Sequence, residues 1–461
     1  MKKLYILVLA LASVLAATAE TWTLNGSNYT ATYANNGAVS FDGCTIYTVK
    51  LTGPRKMSVW YAELNLGKKN ANFKISNGAT RSTRTTVPNM ATALKNKGVD
   101  WRVGINSDLF SAYGAIGTTI VDGEVIKTAK TATAVRAIGF DSYDHSAHTG
   151  NVNFTFGALL NNTPFPSPQW VNVPHEANET NLYTTYWGST TPTSTTSCVE
   201  VVLTPQGGKL KSYEPTVCTV KSAPVSNKGG ASIPSGCIVL SSNNANYASY
   251  LKNMKVGDTF TISPSSFSIN NGIAAYSFKD LRNMVGGTNL LCAGGKRSAE
   301  VESQYCQIPD KDTRRARSAV GYDNTNKILK ILIVEASSSS AGATAKELAD
   351  MMLAIKCADA LYWDGGGSTT MNTAGAGVLN YCSDGSPRAV AQGFFFINDP
   401  SYDPANDPAN KENGVEDIVA DDFDPDAPVE YFNLQGIPVA EPHHGEVYII
   451  RQGSKSRKVI L

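Results

Sequence analysis

Ala360-Leu361-Tyr362-Trp363-Asp364-Gly365-Gly366-Gly367-Ser368-Thr369-Thr370 is an apolar run that ends in a carboxylate, three glycines and three hydroxyls. The run reads as a buried strand. Consecutive glycines lose much conformational freedom on folding, so three of them next to an acid ask for a reason beyond a tight turn. Close approach of backbone to a ligand, with N–H groups free to hold oxygens, supplies one. No Lys follows the glycines, so this is not a Walker phosphate loop.

Upstream, Thr344-Ala345-Lys346-Glu347 spells a capping box, in which the Thr and Glu side chains satisfy free backbone N–H groups at a helix start. Leu348, Met351, Met352 and Ile355 then form one apolar helical face, so both methionines read as core. Strands at 317–322 and 328–334 flank the hairpin turn Asp323-Asn324-Thr325-Asn326. Further out, Ile46–Leu51, Ser58–Leu66, Asn72–Ile75, Val152–Phe156 and Val199–Leu203 alternate as strands. Ile116–Ile120 and Glu124–Lys127 bracket Asp122-Gly123, a pair suited to a type I′ turn. Asn89–Asn96 reads as a short helix. The Pro-, Thr- and Asn-rich stretch 158–235 reads as a loop-rich insertion of long loops and hairpins around the core. The expected class is α+β: a β-rich mixed sheet core with a few covering helices.

The chain has 461 residues, 42% hydrophobic and 17% charged, which excludes wholesale disorder. Forty Lys and Arg against 39 Asp and Glu give a net charge of +1, which argues against bulk nucleic-acid or anionic-membrane binding. Five histidines leave few candidates for His-based chemistry, so carboxylates and arginines carry the search.

Both ends read as addresses. Met1-Lys2-Lys3, the apolar run Leu4–Ala16 and Ala17-Thr18-Ala19 form a signal peptide over 1–19, implying export to periplasm, cell surface or medium. No later run is long enough for a transmembrane helix. The eight cysteines are even in number in a compartment that permits disulfides, with their connectivity open. The body is expected over 20–398, followed by an acidic Pro-rich linker at 399–428. Calcium is the alternative for those acids, but EF-hand spacing is missing and the sequence requires no cofactor. Residues 429–461 alternate as strands and resemble the C-terminal sorting domains of type IX secretion, with His443-His444 in a turn. The resemblance implies secretion machinery as a partner.

Polar groups recur at other strand ends: Asn106-Ser107-Asp108-Leu109-Phe110, Arg317-Ser318, and Ser383-Asp384-Gly385-Ser386-Pro387-Arg388. Together with Asp364–Thr370, Ala316–Gly321 and Gly286-Gly287-Thr288-Asn289-Leu290-Leu291, they resemble the phosphodiester glycosidase family, in the family's order. Ser107, Ala316, Trp363 and Gln392 stand where the family usually has Gly, Pro, an aliphatic residue and Asn. Trp363 and Gln392 are expected to border the pocket and shift the sugar preference.

The resemblance implies hydrolysis of the bond between a sugar's anomeric carbon and phosphate, in a glycan phosphodiester of the N-acetylglucosamine type. Asp364 is the first choice for the catalytic carboxylate and Asp108 the second. A phosphate leaving group needs charge neutralisation more than a proton. Arg317 and Arg388 would supply it in bidentate fashion. Asn106, Ser318, Ser368, Thr369, Asp384 and the backbone at Gly286, Gly287, Gly365 and Gly366 would hold sugar or phosphate oxygens. No metal ligand set is identified. Two rival readings are a secreted glycan-binding protein, stacking sugars on exposed Trp170, Tyr183, Tyr186 and Trp187, and an ordinary glycoside hydrolase.

Overall fold

A computed structural model describes residues 19–35, 40–130, 136–409, 428–433, 438–440, 442, 447–452 and 455–460. Residues 1–18, most of the acidic segment and His443-His444 lie outside them. The chain divides into two compact units, the first running to Tyr402 and the second beginning at Asp403. The segment 399–402, expected in the linker, is tied to the first unit: Asn72 donates to Asp399, and the Tyr402 hydroxyl donates to the Leu66 carbonyl at 2.6 Å.

Strand accounts for 49% and helix for 10%, the α+β, β-rich class expected from the alternating runs. One sheet has nine antiparallel strands. Its centre runs Met57–Asn65, Ile328–Val334, Arg317–Asp323, Asp359–Trp363, Leu290–Ala293. The expected hairpin is there, with Arg317 opposite Val334 and Asp323 opposite Ile328. A second, five-stranded sheet places Asp100–Asn106 between Met371–Thr373 and Gln392–Asn398. A third has fourteen strands, among them Leu281–Gly287 next to Arg136–Asp141.

Period-two alternation decides what each strand contributes. Leu361 and Trp363 face a core shared by the three sheets, packed with Val103, Ile105, Val285, Val320 and Phe394. Ala360 and Tyr362 face the opposite side, against the helix Ala345–Ala354 through Leu348, Met351 and Met352. That helix carries the expected Thr344–Glu347 capping box. The shorter helix starts earlier than read, at Val87, because Thr86 caps it and Pro88 fits its first turn.

Two readings need correction. The stretch 158–235 contains the expected strand Val199–Leu203, but the rest is not long loops and hairpins around the core. Its strands Thr180–Tyr183, Thr193–Pro205 and Thr216–Val220 lie inside the fourteen-stranded sheet and build a core around Leu182, Val201, Leu203 and Cys218. Thr hid the alternation: it reads as polar yet is β-branched and fits a pleated surface. Nor are Tyr183, Tyr186 and Trp187 exposed; all three are buried. All eight cysteines are free thiols, and only Cys306 is more than marginally accessible. In the second unit, Val429–Phe432, Val447–Gln452 and Lys455–Ile460 form a three-stranded antiparallel sheet.

Candidate active site

The site is built where strand ends of two sheets meet. Asp364 follows the last residue of Asp359–Trp363, and its N–H donates to the Ser107 carbonyl at 2.9 Å. Asn106 closes Asp100–Asn106 and donates from Nδ2 to the Asp364 carbonyl at 2.7 Å. Asn106 Oδ1 accepts from the Ser318 hydroxyl and the Thr370 N–H, both at 3.1 Å. Ser318 also reaches the Thr369 hydroxyl at 3.3 Å. Asn106, Ser318 and Thr369 are all buried, so this network fixes the backbone of Asp364 rather than presenting donors to solvent.

The three glycines have three distinct causes. A Cβ at Gly365 would sit 2.6 Å from the Tyr362 hydroxyl and 2.8 Å from the Ala316 carbonyl. Gly366 has φ +59°, in the left-handed region, with open space where a side chain would go. A Cβ at Gly367 would strike Asp384 and Arg388 at 2.2 Å. The close approach inferred from sequence is therefore to protein groups at two of the three positions, and Gly366 alone faces open space. Gly286 and Gly287 are likewise required by close packing against protein groups. A Cβ at Gly286 would lie 2.5 Å from Asp108 Oδ2, and one at Gly287 2.6 Å from Leu361.

Arg317 and Arg388, paired by the sequence, differ in kind. Arg317 is 1% exposed. Its Nε donates to Ala343, Nη1 to Pro309 and the Tyr362 hydroxyl, and Nη2 to Asp310 and Thr313. A guanidinium has five N–H groups, and all five are used. Bidentate phosphate binding by Arg317 is thus contradicted; it clamps the 309–313 loop and the strand beside Asp364. Arg388 is exposed. Asp384 holds it through Nε at 2.7 Å and Nη2 at 3.0 Å, while Nη1 reaches Ser368 Oγ at 3.4 Å. Among the described residues, the rest of its fork has no hydrogen-bond partner.

Burial raises the Asp364 carboxyl to about 6, with the Ser368 hydroxyl, Arg388 and the Gly365 N–H restraining the shift. Burial raises Asp108 to about 7, against the Gly117 N–H and the charge of Lys127, while Asp364 adds repulsion. Asp108 Oδ2 accepts from Gly117 N–H at 2.7 Å; among the described residues, buried Oδ1 has no hydrogen-bond partner, and neither has Thr288 Oγ1. Asp364 is partly open to solvent and Asp108 is enclosed. Cavities of about 350 Å³ beside Asp141 and about 530 Å³ beside Tyr186 are lined by neither carboxylate.

Trp363 and Gln392 are fully buried and do not border a pocket. The Trp363 indole donates to the Gly286 carbonyl at 3.0 Å, and Gln392 accepts from Ser107. Sequence reading missed Lys127, which burial lowers to about 8 beside Asp108. Its signal was register: Lys127 shares the buried face with Val125.

Comparison with solved structures places this architecture. A hypothetical protein from Synechocystis matches with TM-score 0.59 and 16% identity, covering 83% of this chain; this chain spans 64% of that protein. A Burkholderia pseudomallei protein, described by inference as exported, matches with TM-score 0.54 and 14% identity, covering 75% of each chain. The zebrafish N-acetylglucosamine-1-phosphodiester alpha-N-acetylglucosaminidase catalytic domain, auto-inhibited by its pro-peptide, matches at TM-score 0.39 and 13% identity over 77% of this chain and 82% of that one. No curated protein matches at a significant level. The profile of one family does: over residues 216–397, the stretch that holds Arg317, Asp364, Asp384 and Arg388, this chain matches the phosphodiester glycosidases.

Proposed function

We propose that this chain hydrolyses the bond between a sugar's anomeric carbon and phosphate in a sugar-1-phosphodiester. The observation that carries the reading is the pairing of a partly open, desolvated Asp364 with an Arg388 fork that Asp384 holds only in part. The family match over the same residues supports the reaction class. In this reading Asp364, ionised, activates water or attacks the anomeric carbon and stabilises the oxocarbenium-like charge. Arg388 neutralises the departing phosphate monoester, a weak base that leaves without a proton. Asp108, enclosed behind the site, holds its proton to near neutral pH and so adds little negative charge beside Asp364. Asn106, Ser318 and Thr369 keep Asp364 in place. Arg317 adds a buried positive charge behind the site. The N-acetylglucosamine-type substrate, export through the N-terminal segment and recognition of the C-terminal strands by secretion machinery belong to this proposal. Among the described residues no helix is long and apolar enough to cross a membrane.

Isotope labelling tests the bond cleaved. Hydrolysis of alpha-N-acetylglucosamine-1-phosphomethyl diester in H₂¹⁸O should place the label on the sugar. Label on the phosphate would mean attack at phosphorus and would end the glycosidase reading.

A further inference from the structure

Beyond Asp108 the chain forms a small hairpin, Phe110–Ser111 against Gly114–Ala115, with Tyr113 near its tip. Tyr113 is 40% exposed, yet its ring is not loose. It stacks on Trp187 with centroids 5.7 Å apart and planes 8° apart. Trp187 is buried and meets Tyr183 edge-on at 5.3 Å. Arg81 is pinned beside this pair. Its N–H donates to the Tyr186 carbonyl and its Nε to the Trp187 carbonyl, both at 2.7 Å. Its guanidinium lies 4.3 Å from the Trp187 ring and 5.4 Å from that of Tyr113. The remaining four N–H groups have no protein partner among the described residues.

Two further cations hold the hairpin: Arg84 donates to the Ser111 carbonyl, and Lys127 to those of Tyr113 and Ala115. Their donors are spent largely on backbone, so they fix the hairpin and leave their charge. The result is a rigid, half-exposed aromatic face with unspent guanidinium donors at its edge, in a positive local field. An aromatic face suits the apolar face of a sugar ring, and a planar fork suits a carboxylate, phosphate or sulfate.

We propose that Tyr113 and Arg81 form a subsite for an anionic sugar residue, so that the ligand is an anionic glycan of more than one unit. This rests on the hydrolase reading for calling the glycan a substrate; the binding itself does not depend on turnover.

The test is titration of the full chain with oligosaccharides bearing carboxylate, phosphate monoester or sulfate, against their neutral counterparts, none containing a glycosyl-1-phosphate. An anionic member should bind more tightly than its neutral partner and weaken with added salt. Arg81→Ala and Tyr113→Ala should each weaken it about ten-fold, while Tyr113→Phe keeps it. Tyr305→Ala, another exposed tyrosine, should not change it. Thermal melting of each variant checks folding, and the exposed Tyr113 keeps the test decisive should Arg81→Ala unfold. Absence of binding, equal binding of neutral partners, or indifference to both alanine variants would overturn the subsite. Because these ligands lack the scissile bond, that outcome leaves the hydrolase reading standing, and failed hydrolysis leaves this one standing.

Discussion

Arg317 and Arg388 illustrate how much of a residue's role lies in what its donors already touch. With all five N–H groups given to the protein, Arg317 has a stability role. Arg317→Lys should lower unfolding free energy by about 3 kcal/mol or more, seen in denaturant melts, because Lys cannot replace the fork. Arg388→Ala should instead leave melting nearly unchanged and lower kcat/KM for the diester by roughly 10²-fold. Asp364→Asn should remove roughly 10³-fold of activity with folding intact. The carboxyl shifts give a pH signature. Asp108 keeps its proton to about 7 in the folded chain, against an ordinary value of 3.8. The native state therefore binds more protons between those limits. This contribution is full below the lower limit and lost as pH rises through about 7. Asp108→Asn should lose less stability than the parent between pH 5 and 8, measured as the denaturant midpoint. Ionisation of Asp364 should make kcat/KM rise through pH about 6. The place of Asp364 at a strand end and the exposure of Arg388 were legible from local spacing; the saturation of Arg317 comes from carbonyls of the 309–313 loop and Ala343, which no local pattern displays.

At the scale of elements, the helix Ala345–Ala354 was legible in full, since its cap and its apolar face are both local signals. Thr344→Ala should cost about 1 kcal/mol of stability, measured by thermal or denaturant unfolding, through loss of the cap. The triple glycine was legible as a demand for close approach, but the partners Tyr362, Ala316, Asp384 and Arg388 are set by tertiary contacts. Within 158–235, Val199–Leu203 was legible as the middle of a strand, but the other strands were not, because Thr and Pro interrupt the apolar alternation that marks strands such as Arg317–Asp323. Their pairing partners, such as Ile238–Ser242 and Thr259–Asn270, also lie far along the chain.

Across the whole molecule, three sheets share one core through Trp363, Val285 and Phe394, and this brings segments near residues 106, 318, 364 and 388 to one place. The convergence was inferable only from the order of motifs, since no single segment specifies it. A chain ending at Tyr402 should keep the cooperative melting transition of the first unit, because that unit is compact with its own core. The account stands on a carboxylate and an arginine acting together on a phosphate-bearing sugar. Comparing kcat/KM for an alpha-sugar-1-phosphodiester with that for the matched nitrophenyl glycoside measures this directly. The expected result is a preference of 10²-fold or more for the diester, collapsing in Arg388→Ala. Equal rates on both substrates, or no hydrolysis of the diester, would contradict it.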